Sequence, residues 1–324
     1  MSDLRYINEF KNKVLKGENL DKNEALNLAN SSDLNALLNS ANEIRQICCG
    51  DKFNFCSIIN AKSGKCSENC KYCAQSAHFN TGCQTHALLD IAPILKMAKE
   101  NESEKVHRFS LVASGRGISE NDKDMPKIEQ IYRALREQTN LHLCASFGIA
   151  SKEALQKLKD SGVKTYHHNL ETSRAFYPKI CTTHTYDDRV QTIKNCHAVG
   201  LDVCSGGIFG LGESVEDRID MAFELRTLGV SSVPINILMP ISGTPLENSA
   251  PLSEEEILRS IAVYRFILPR VYLRFAGGRV KLGKSIEKAL NSGVNSAITG
   301  DFLTTTGDSI KGDMKLVASL GFKI

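Results

Sequence analysis

The chain of 324 residues contains no tryptophan, and aromatic residues make up only 6% of it. Aromatic platforms for stacking nucleic-acid bases are therefore not indicated. The charge is nearly balanced, since 40 Lys and Arg against 37 Asp and Glu leave a formal net charge of +3, which argues against nucleic acid or an acidic membrane surface as a partner. No uninterrupted apolar run approaches the ~20 residues of a membrane span. The charged N-terminal segment also lacks the apolar region of a signal peptide.

Cysteine, in contrast, is abundant, with 11 residues. Their odd number disfavours a disulfide framework, and the chain is expected in the reducing cytoplasm, where thiols stay free or bind metal. Cys66, Cys70 and Cys73 form the pattern C-x3-C-x2-C. Three thiolates at this spacing can bind three irons of a 4Fe-4S cluster and leave the fourth open to a small molecule, with Tyr72 covering the cluster. Zinc is the alternative, because His78 or Cys83 could supply a fourth ligand.

The hydrophobic pattern predicts a helical N-terminal extension followed by alternating strands and helices. Residues 32–47 have apolar side chains at the helical period, and Ser32 or Asp33 can cap the start. The predicted strands are Phe53–Ile58, Arg108–Ala113, Leu141–Phe147, Thr165–Leu170, Asp202–Ile208, Val233–Met239, Val271–Phe275 and Asn295–Thr299. Eight such units predict an α/β fold, a (β/α)8 TIM-type barrel over residues 51–324 behind an extension of residues 1–50. A doubly wound sheet is the alternative.

Polar or reactive side chains lie on or after several of these strands, although a strand buried on both faces should be nearly all aliphatic. They are Ser110, Cys144, His167, Asn169, Cys204, Asn236 and Arg274. In a barrel they would meet at the C-terminal ends of the strands, where active sites of this fold lie. Two strand cysteines and an arginine predict a second metal or sulfur site. Of His167 and His168, strand alternation lets only one face inward.

A glycine-rich stretch, Gly206-Gly-Ile208-Phe-Gly210-Leu-Gly-Glu213, follows the cysteine-bearing fifth strand. Glycine lets backbone approach a ligand closely, and backbone amides at a helix start can receive an adenine or a carboxylate. A tight turn alone would also explain it. Its place after Cys204 favours ligand contacts at Gly206, Ile208 and Gly210.

These motifs together resemble the radical S-adenosylmethionine (SAM) superfamily, and more closely its biotin synthase family. The cluster motif with Tyr72 and the G-x-I-x-G-x-x-E stretch are similar to the superfamily. The closer resemblance is carried by Tyr72-Cys73-Ala-Gln75-Ser, His168-Asn169-Leu-Glu171-Thr-Ser173, Thr182-Thr183-His-Thr185-Tyr186, Val203-Cys204-Ser-Gly-Gly, Ser232-Val-Pro-Ile-Asn236 with Gly243-Thr-Pro245, and Arg274-Phe-Ala-Gly-Gly278-Arg279. They cover roughly residues 53–306 in the family's order.

The resemblance implies a sulfurtransferase that converts dethiobiotin to biotin. In that family a 4Fe-4S cluster reduces SAM to a radical that takes hydrogen from dethiobiotin, and an auxiliary iron–sulfur cluster supplies the sulfur. By similarity Cys66, Cys70 and Cys73 bind the first cluster. The residues that would contact SAM or substrate are Tyr72, Asn169, Glu171, Arg189, Gly206, Ile208, Gly210 and Asn236. Arg189 would pair with the methionyl carboxylate.

The auxiliary cluster is where this chain departs from the family's best-known pattern of three cysteines and one arginine, which implies a 2Fe-2S cluster. Cys144, Cys204 and Arg274 match three of these positions, with Cys204 and Arg274 closest to the chemistry, but the fourth is Ser110. A serine oxygen is a poor replacement for a thiolate. We hypothesise that Cys181, after the fourth strand, completes a differently built cluster with more irons, Cys83 being a weaker candidate. The other cysteines, Cys48, Cys49, Cys56 and Cys196, have no partner pattern and are expected to be structural.

Two further classes of function stay open at this point. The chain could be another enzyme of the same subgroup, such as a hydrogenase cofactor maturase, a methylornithine synthase, or a tyrosine or lipoyl enzyme. It could also be an iron–sulfur electron carrier or a zinc-stabilised binding module, although a carrier needs four cysteines per cluster and no large barrel. The resemblance further implies a homodimer and a flavodoxin or ferredoxin as electron donor.

Overall fold

Eight parallel strands close into a barrel in which β1 pairs with both β2 and β8. The protein is described by a computed structural model over residues 3–300 and 309–324. The barrel strands are β1 (Asn54–Lys62), β2 (Arg108–Ala113), β3 (His142–Ser146), β4 (Thr165–His167), β5 (Asp202–Cys204), β6 (Ser232–Ile237), β7 (Tyr272–Phe275) and β8 (Ser296–Ile298). The predicted (β/α)8 barrel is confirmed, with strand ends shifted by a few residues. The predicted strand Asp202–Ile208 is interrupted, and its second half is a separate strand, Gly207–Phe209, which pairs with β6.

Helices surround the barrel and connect its strands. They are α1 (Asp3–Leu15), α2 (Lys22–Ala29), α3 (Leu34–Cys49), α4 (Ile91–Ser103), α5 (Met125–Gln138), α6 (Lys152–Ser161), α7 (Tyr186–Ala198), α8 (Val215–Thr227), α9 (Glu254–Ile267), α10 (Ile286–Leu290) and α11 (Ile310–Ser319). Short 3-10 turns lie at Tyr177–Lys179 and Arg279–Ser285, and two-residue strands Gly117–Ile118 and Ile149–Ala150 pair with each other. Among the described helices, none is long and apolar enough to cross a membrane.

Local signals explain where the helices begin. The Thr185 side chain accepts a hydrogen bond from the Asp188 amide at the start of α7, and the Asp188 carboxylate accepts one from the Thr185 amide, which completes a capping box. At α9 the Ser253 hydroxyl accepts from the Glu256 amide. The Glu256 carboxylate instead contacts Arg218 at 3.2 Å. The capping box at the start of α9 is therefore only half formed.

The N-terminal helices α1–α3 pack against α8 and α9 on the outside of the barrel. Asp33 caps α3 by accepting from the Ala36 amide, as the sequence predicted for this helix. These helices lie away from the strand ends that carry the polar residues. Whether residues 1–50 form a domain separate from residues 51–324 stays a prediction.

Candidate active site

The C-terminal ends of the strands surround a cavity of about 420 Å³. This volume lies within the ~300–1,000 Å³ typical of small-molecule sites. The predicted site residues that line it are Cys66, Cys70, Tyr72, Cys73, Ser110, Cys144, Asn169, Glu171, Arg189, Cys204, Ile208, Asn236 and Arg274. The fold therefore brings residues more than 200 positions apart into one chamber, at the end where barrel enzymes have their active sites.

The loop after β1 carries the three cysteines of the C-x3-C-x2-C motif. It is closed by bonds from the Cys66 amide to the Gln75 carbonyl (3.0 Å) and from the Ala77 amide to the Cys66 carbonyl (2.7 Å). The Gln75 side chain also accepts from the Gly64 amide at 3.0 Å. Gly64 has φ +75°, and a Cβ there would stand 2.4 Å from the Thr85 hydroxyl. The loop thus needs glycine at its start, and it turns all three thiols toward the cavity.

Burial and neighbouring thiols disfavour ionisation in this loop. The pKa of Cys70 is raised, first by its hydrogen bond to Cys181 and then by burial. Burial raises the pKa of Cys73 to about 11. Such thiols keep their protons until a metal replaces them. Three thiols that line one cavity, Cys66 and Cys70 buried and Cys73 half-buried, fit a cluster with one open position, and Tyr72 lines the same cavity.

The loop after β4 joins three of the residues predicted to bind SAM. The Asn169 side-chain oxygen accepts from the Gly206 amide at 3.1 Å, and its Nδ2 donates to Glu171 Oε2 at 3.2 Å. Arg189 donates to the Asn169 carbonyl at 2.7 Å and lies 3.7 Å from the Glu171 carboxylate. Glu171 has a left-handed backbone, φ +71°, which is uncommon outside glycine and is typical of functional sites. The amide, carboxylate and guanidinium therefore present one polar wall to the cavity.

The glycine-rich stretch contributes less to the cavity than predicted. The Gly206 amide is bonded to Asn169, and a Cβ at Gly206 would stand 2.0 Å from the Pro234 carbonyl. The Gly210 amide donates to Glu213, whose carboxylate pairs with buried Arg218 at 2.8 Å. Only Ile208 of the three predicted contacts lines the cavity. Ligand contacts at Gly206 and Gly210 find no support here, since both amides already have partners within the fold.

Deeper in the barrel, Arg274 and Cys204 lie on neighbouring parts of the wall. Cys204 on β5 is the register partner of His167 on β4 and of Ser232 on β6, and both neighbouring side chains act to lower the pKa of its thiol. The Arg274 Nε donates to the Ser232 hydroxyl at 3.4 Å. Its other bonds go to the backbone and side chain of Asn54, at 3.2 and 2.8 Å, and to the Ala297 carbonyl. The guanidinium is buried, and every partner recorded here is uncharged, so it adds a positive charge beside the thiols.

Cys181 lies in the loop after β4, as predicted, but it contacts the loop cysteine Cys70 rather than Cys144 and Cys204. It is buried with its Sγ 3.7 Å from Cys70 Sγ and 3.3 Å from His184 Nδ1, next to the loop cysteines. Its side chain is also absent from the cavity lining that Cys144 and Cys204 share. The 3-10 turn at Tyr177–Lys179 leads the chain back to the loop after β1, where the Lys71 amide donates to the Ile180 carbonyl at 2.9 Å. The contacts of Cys181 therefore do not support a role in an auxiliary cluster.

Cys56 is the residue that the sequence interpretation missed. It lies on β1, is buried and lines the cavity, and its thiol interacts electrostatically with that of Cys144. In the β1–β2 pairing Cys56 faces Arg108, and Ser110 faces Ile58. The sequence did contain a signal for Cys56. It lies on a predicted strand two residues from Ile58, so the two side chains are on the same face of β1. Cys56, Cys144, Cys204 and Arg274 give three thiols and a guanidinium on four strands.

Positive groups favour the thiolate form in this part of the barrel. The interaction with Cys144 and the charges of Arg274 and Arg108 lower the pKa of Cys56 to about 6, against the opposing effect of burial. The same interaction and burial raise the pKa of Cys144. For Cys204 burial raises the pKa, but the neighbouring His167 and Arg274 outweigh it and the net shift is downward. A pocket that stabilises thiolates is suited to bind iron.

Two buried polar atoms facing this cavity lack hydrogen-bond partners among the described residues, Ser110 Oγ and His168 Nε2. Because an unpaired buried polar atom costs about 1–3 kcal/mol, such atoms are typical of a wall that meets a ligand. Both His167 and His168 line the cavity. The prediction that only one of them could face it is wrong, because β4 ends at His167 and strand alternation does not extend to His168.

Comparisons with known proteins agree with this geometry. The family model "Radical SAM superfamily" matches residues 61–225, and "Biotin and Thiamin Synthesis associated domain" matches residues 234–323. Curated relatives named biotin synthase are 64% identical over 316 residues in Campylobacter hominis, covering 98% of this chain and 97% of the relative, and 55% identical over 326 residues in Fusobacterium nucleatum, covering 98% and 91%.

Solved structures of two other enzymes share the fold at low sequence identity. A methylornithine synthase aligns with a TM-score of 0.83 at 20% identity, covering 97% of this chain and 96% of that one. A maturase of the [FeFe]-hydrogenase, HydG, aligns with a TM-score of 0.85 at 17% identity, covering 98% and 75%. At these identities the likeness extends to the fold alone.

Proposed function

The chain belongs to the biotin synthase family of radical SAM enzymes, and from that premise we propose that it converts dethiobiotin to biotin with sulfur from an auxiliary iron–sulfur cluster. The reaction replaces two C–H bonds of dethiobiotin by two C–S bonds to one sulfur atom. The observation that carries the proposal is the meeting of two separate thiol groups in one cavity. An enzyme that only generates a radical needs the first group and has no use for the second.

The alternative enzymes of the same fold are less well supported. Methylornithine synthase and the hydrogenase maturase align at 17–20% identity, whereas biotin synthases are 55–64% identical over nearly the whole chain. The three-thiol group inside the barrel gives a second reason, because it provides a place for a sulfur source. An electron carrier or a zinc module would leave the large cavity unexplained.

Cys66, Cys70 and Cys73 would hold the 4Fe-4S cluster, which when bound supplies the electron that splits SAM. Arg189 would pair with the carboxylate of SAM, and Glu171 would accept from its ribose hydroxyls. These two side chains already lie 3.7 Å apart at the cavity wall. Their mutual pairing keeps both buried charges compensated before the cofactor arrives. Ile208 would contact the adenine, and Tyr72 would cover the cluster.

The auxiliary cluster would be held by Cys56, Cys144, Cys204 and Arg274. Cys56 takes the ligand position that the sequence analysis gave to Cys181. Each lies on a different barrel strand, so the fold rather than a flexible loop sets the positions of the donors. Arg274 is fixed by four hydrogen bonds, two of them to Asn54. The number of irons in this cluster follows from none of these contacts. Three thiols are compatible with the 2Fe-2S form and with a larger one.

Asn236 would orient dethiobiotin between the two clusters. Its side-chain oxygen accepts from the Gly277 amide at 2.9 Å, and its nitrogen donates to the Gly207 carbonyl at 3.2 Å. These bonds fix the amide at the cavity wall. The family resemblance further supports a homodimer and reduction by a flavodoxin or ferredoxin.

The test is an anaerobic single-turnover assay on the reconstituted protein with SAM, a strong reductant and dethiobiotin. Mass spectrometry quantifies biotin and 5′-deoxyadenosine, and iron and sulfide are counted beforehand. Cys56→Ser is compared with Cys196→Ser, which changes a thiol buried on the outer helix α7. We expect Cys56→Ser to lose auxiliary iron and more than about 90% of its biotin while keeping deoxyadenosine, since disturbing a metal site costs roughly 10–100-fold. Cys196→Ser should behave as the unmodified protein.

Two outcomes would contradict parts of this proposal. No biotin from protein with a verified first cluster would overturn the assigned reaction. Full auxiliary iron and biotin in Cys56→Ser would keep the reaction but remove Cys56 from the ligand set. Zinc in place of iron and sulfide would return the loop cysteines to a structural role.

A further inference from the structure

Beside the loop cysteines lies a second group of metal-binding side chains that the proposed reaction does not use. It consists of Cys181 and His184 next to Cys70, and the ligand atoms of these three residues all lie within 4.8 Å of one another. All three are buried, as is the neighbouring Glu68. Buried thiols and imidazole in contact are a common ligand set for zinc.

The distances in this group match those around a tetrahedral ion. Two sulfurs bound at about 2.3 Å to one tetrahedral ion stand about 3.8 Å apart. Cys70 Sγ and Cys181 Sγ are 3.7 Å apart. His184 Nδ1 lies 3.3 Å from Cys181 Sγ, slightly closer than the ~3.6 Å expected for a bound sulfur and nitrogen. Small side-chain movements would therefore suffice to admit an ion.

Surrounding residues orient the ligands as the outer partners of metal sites do. His184 Nε2 lies 2.8 Å from the Tyr177 hydroxyl, which also accepts from Arg189. A hydrogen bond from the remote ring nitrogen is typical of metal-bound histidine and leaves Nδ1 for the metal. At Nδ1 the ring contacts the Glu68 carboxylate at 2.5 Å. An ion at Nδ1 would replace this contact, and Glu68 itself lies outside the group of mutually close ligand atoms.

We propose that, in the cluster-free protein, Cys70, Cys181 and His184 bind a single thiophilic divalent cation such as Zn²⁺ or Fe²⁺ through three protein ligands, with the fourth position left to water. The proposal rests on the proposed function only in taking Cys70 as a cluster ligand. Because Cys70 cannot serve both centres, the single ion and the 4Fe-4S cluster exclude each other. The site is thus a competing metal site, and zinc bound there would delay cluster assembly.

The test uses Co²⁺ as a spectroscopic substitute for zinc in the full-length, cluster-free protein under anaerobic conditions. We expect one tightly bound Co²⁺ with thiolate-to-metal charge-transfer and tetrahedral ligand-field bands, displaced by Zn²⁺. Cys181→Ser and His184→Gln should each bind Co²⁺ at least about tenfold more weakly. Cys181→Ser should also lose about half of the charge-transfer intensity, because one of two thiolates is removed. Cys83→Ser, in the same loop region but outside the group, is the matched control.

Cys73→Ser distinguishes this site from the cluster cysteines. We expect it to bind Co²⁺ as the unmodified protein does, since Cys73 lies outside the group. If Cys73→Ser weakened binding while Cys181→Ser did not, the ion would sit on the C-x3-C-x2-C motif and the proposal would be wrong. If the free-thiol count before metal addition were two below the number of cysteines, a Cys70–Cys181 disulfide would be indicated. That result would also contradict the proposed metal site. Neither result depends on biotin formation, so failure here leaves the proposed function standing.

Discussion

The two thiol groups that face the cavity are built in opposite ways. Cys66, Cys70 and Cys73 come from eight consecutive residues of one loop, closed by its own backbone bonds. Cys56, Cys144 and Cys204 come from three separate strands and meet only because the barrel closes. The loop group is therefore visible in the sequence as a spacing, whereas the barrel group exists only as a consequence of the fold.

The electrostatic surroundings of the two groups differ as well. In the loop, burial and neighbouring thiols raise the pKa of Cys70 and Cys73. In the barrel, the interaction with Cys144 and then the charge of Arg274 lower the pKa of Cys56, and His167 and then Arg274 lower the pKa of Cys204. The interaction with Cys56 and burial raise the pKa of Cys144. The loop offers an open metal position that a cofactor can occupy. The barrel offers a charge-compensated pocket suited to a cluster held away from solvent.

The largest expected effect comes from removing one ligand of each group. Cys73→Ala should abolish both 5′-deoxyadenosine and biotin, because no radical forms without the first cluster. Cys204→Ala should keep deoxyadenosine and lose biotin alone. Each loss should exceed about 100-fold, since even the outer partners of metal ligands are worth roughly 10–100-fold. The measurement is the single-turnover assay with both products quantified and the iron content of each variant known.

The proposed difference between the loop group and the barrel group would be wrong if both variants lost the same products. Loss of deoxyadenosine in Cys204→Ala would mean that the barrel group is needed for radical formation as well. Biotin formed by Cys204→Ala at the unmodified level would show that its thiol is not part of the sulfur source.

A smaller expected effect is a difference between the barrel and loop thiols in how their labelling rates depend on pH. In cluster-free protein we expect iodoacetamide to label Cys56 at a lower pH than Cys73, because the interaction with Cys144 and the charges of Arg274 and Arg108 lower the pKa of Cys56. Cys73, with a pKa raised to about 11, should label more slowly at pH 7 and accelerate up to that pH. Cys196, whose pKa burial raises to about 12, is the internal control. Labelling is followed by peptide mass spectrometry, and an earlier onset for Cys73 than for Cys56 would contradict the difference.

Most of the fold could be predicted from the sequence, because the hydrophobic period and turn residues act locally. β2 (Arg108–Ala113) was predicted to the residue, and α9 starts after Ser253 as its capping residue indicated. The errors occur where a strand stops early. β4 ends at His167 and β5 at Cys204, since the chain turns there to form the cavity wall.

The site was predictable only where sequence neighbours are also spatial neighbours. Cys181 follows β4, and nothing local reveals that a 3-10 turn returns it to the loop after β1. Cys56 was missed because barrel strands are tilted. In a tilted sheet, side chains at the same level along the barrel axis do not belong to residues paired in the backbone register. The backbone register partner of Cys56 is Arg108, but its thiol interacts with that of Cys144.

The smallest expected effect tests the position where this chain departs from the family pattern, Ser110. Its hydroxyl faces the cavity and has no hydrogen-bond partner among the described residues, so Ser110→Ala removes a group that stabilises nothing seen here. We expect unchanged auxiliary iron and biotin yield, and a free energy of unfolding equal to or up to ~1 kcal/mol above that of the unmodified protein, because an unsatisfied buried hydroxyl is lost. Denaturant unfolding and the iron count measure both. If Ser110→Ala instead lost auxiliary iron, the serine oxygen would be a ligand, and Cys56 would no longer be needed to explain how the barrel group is completed.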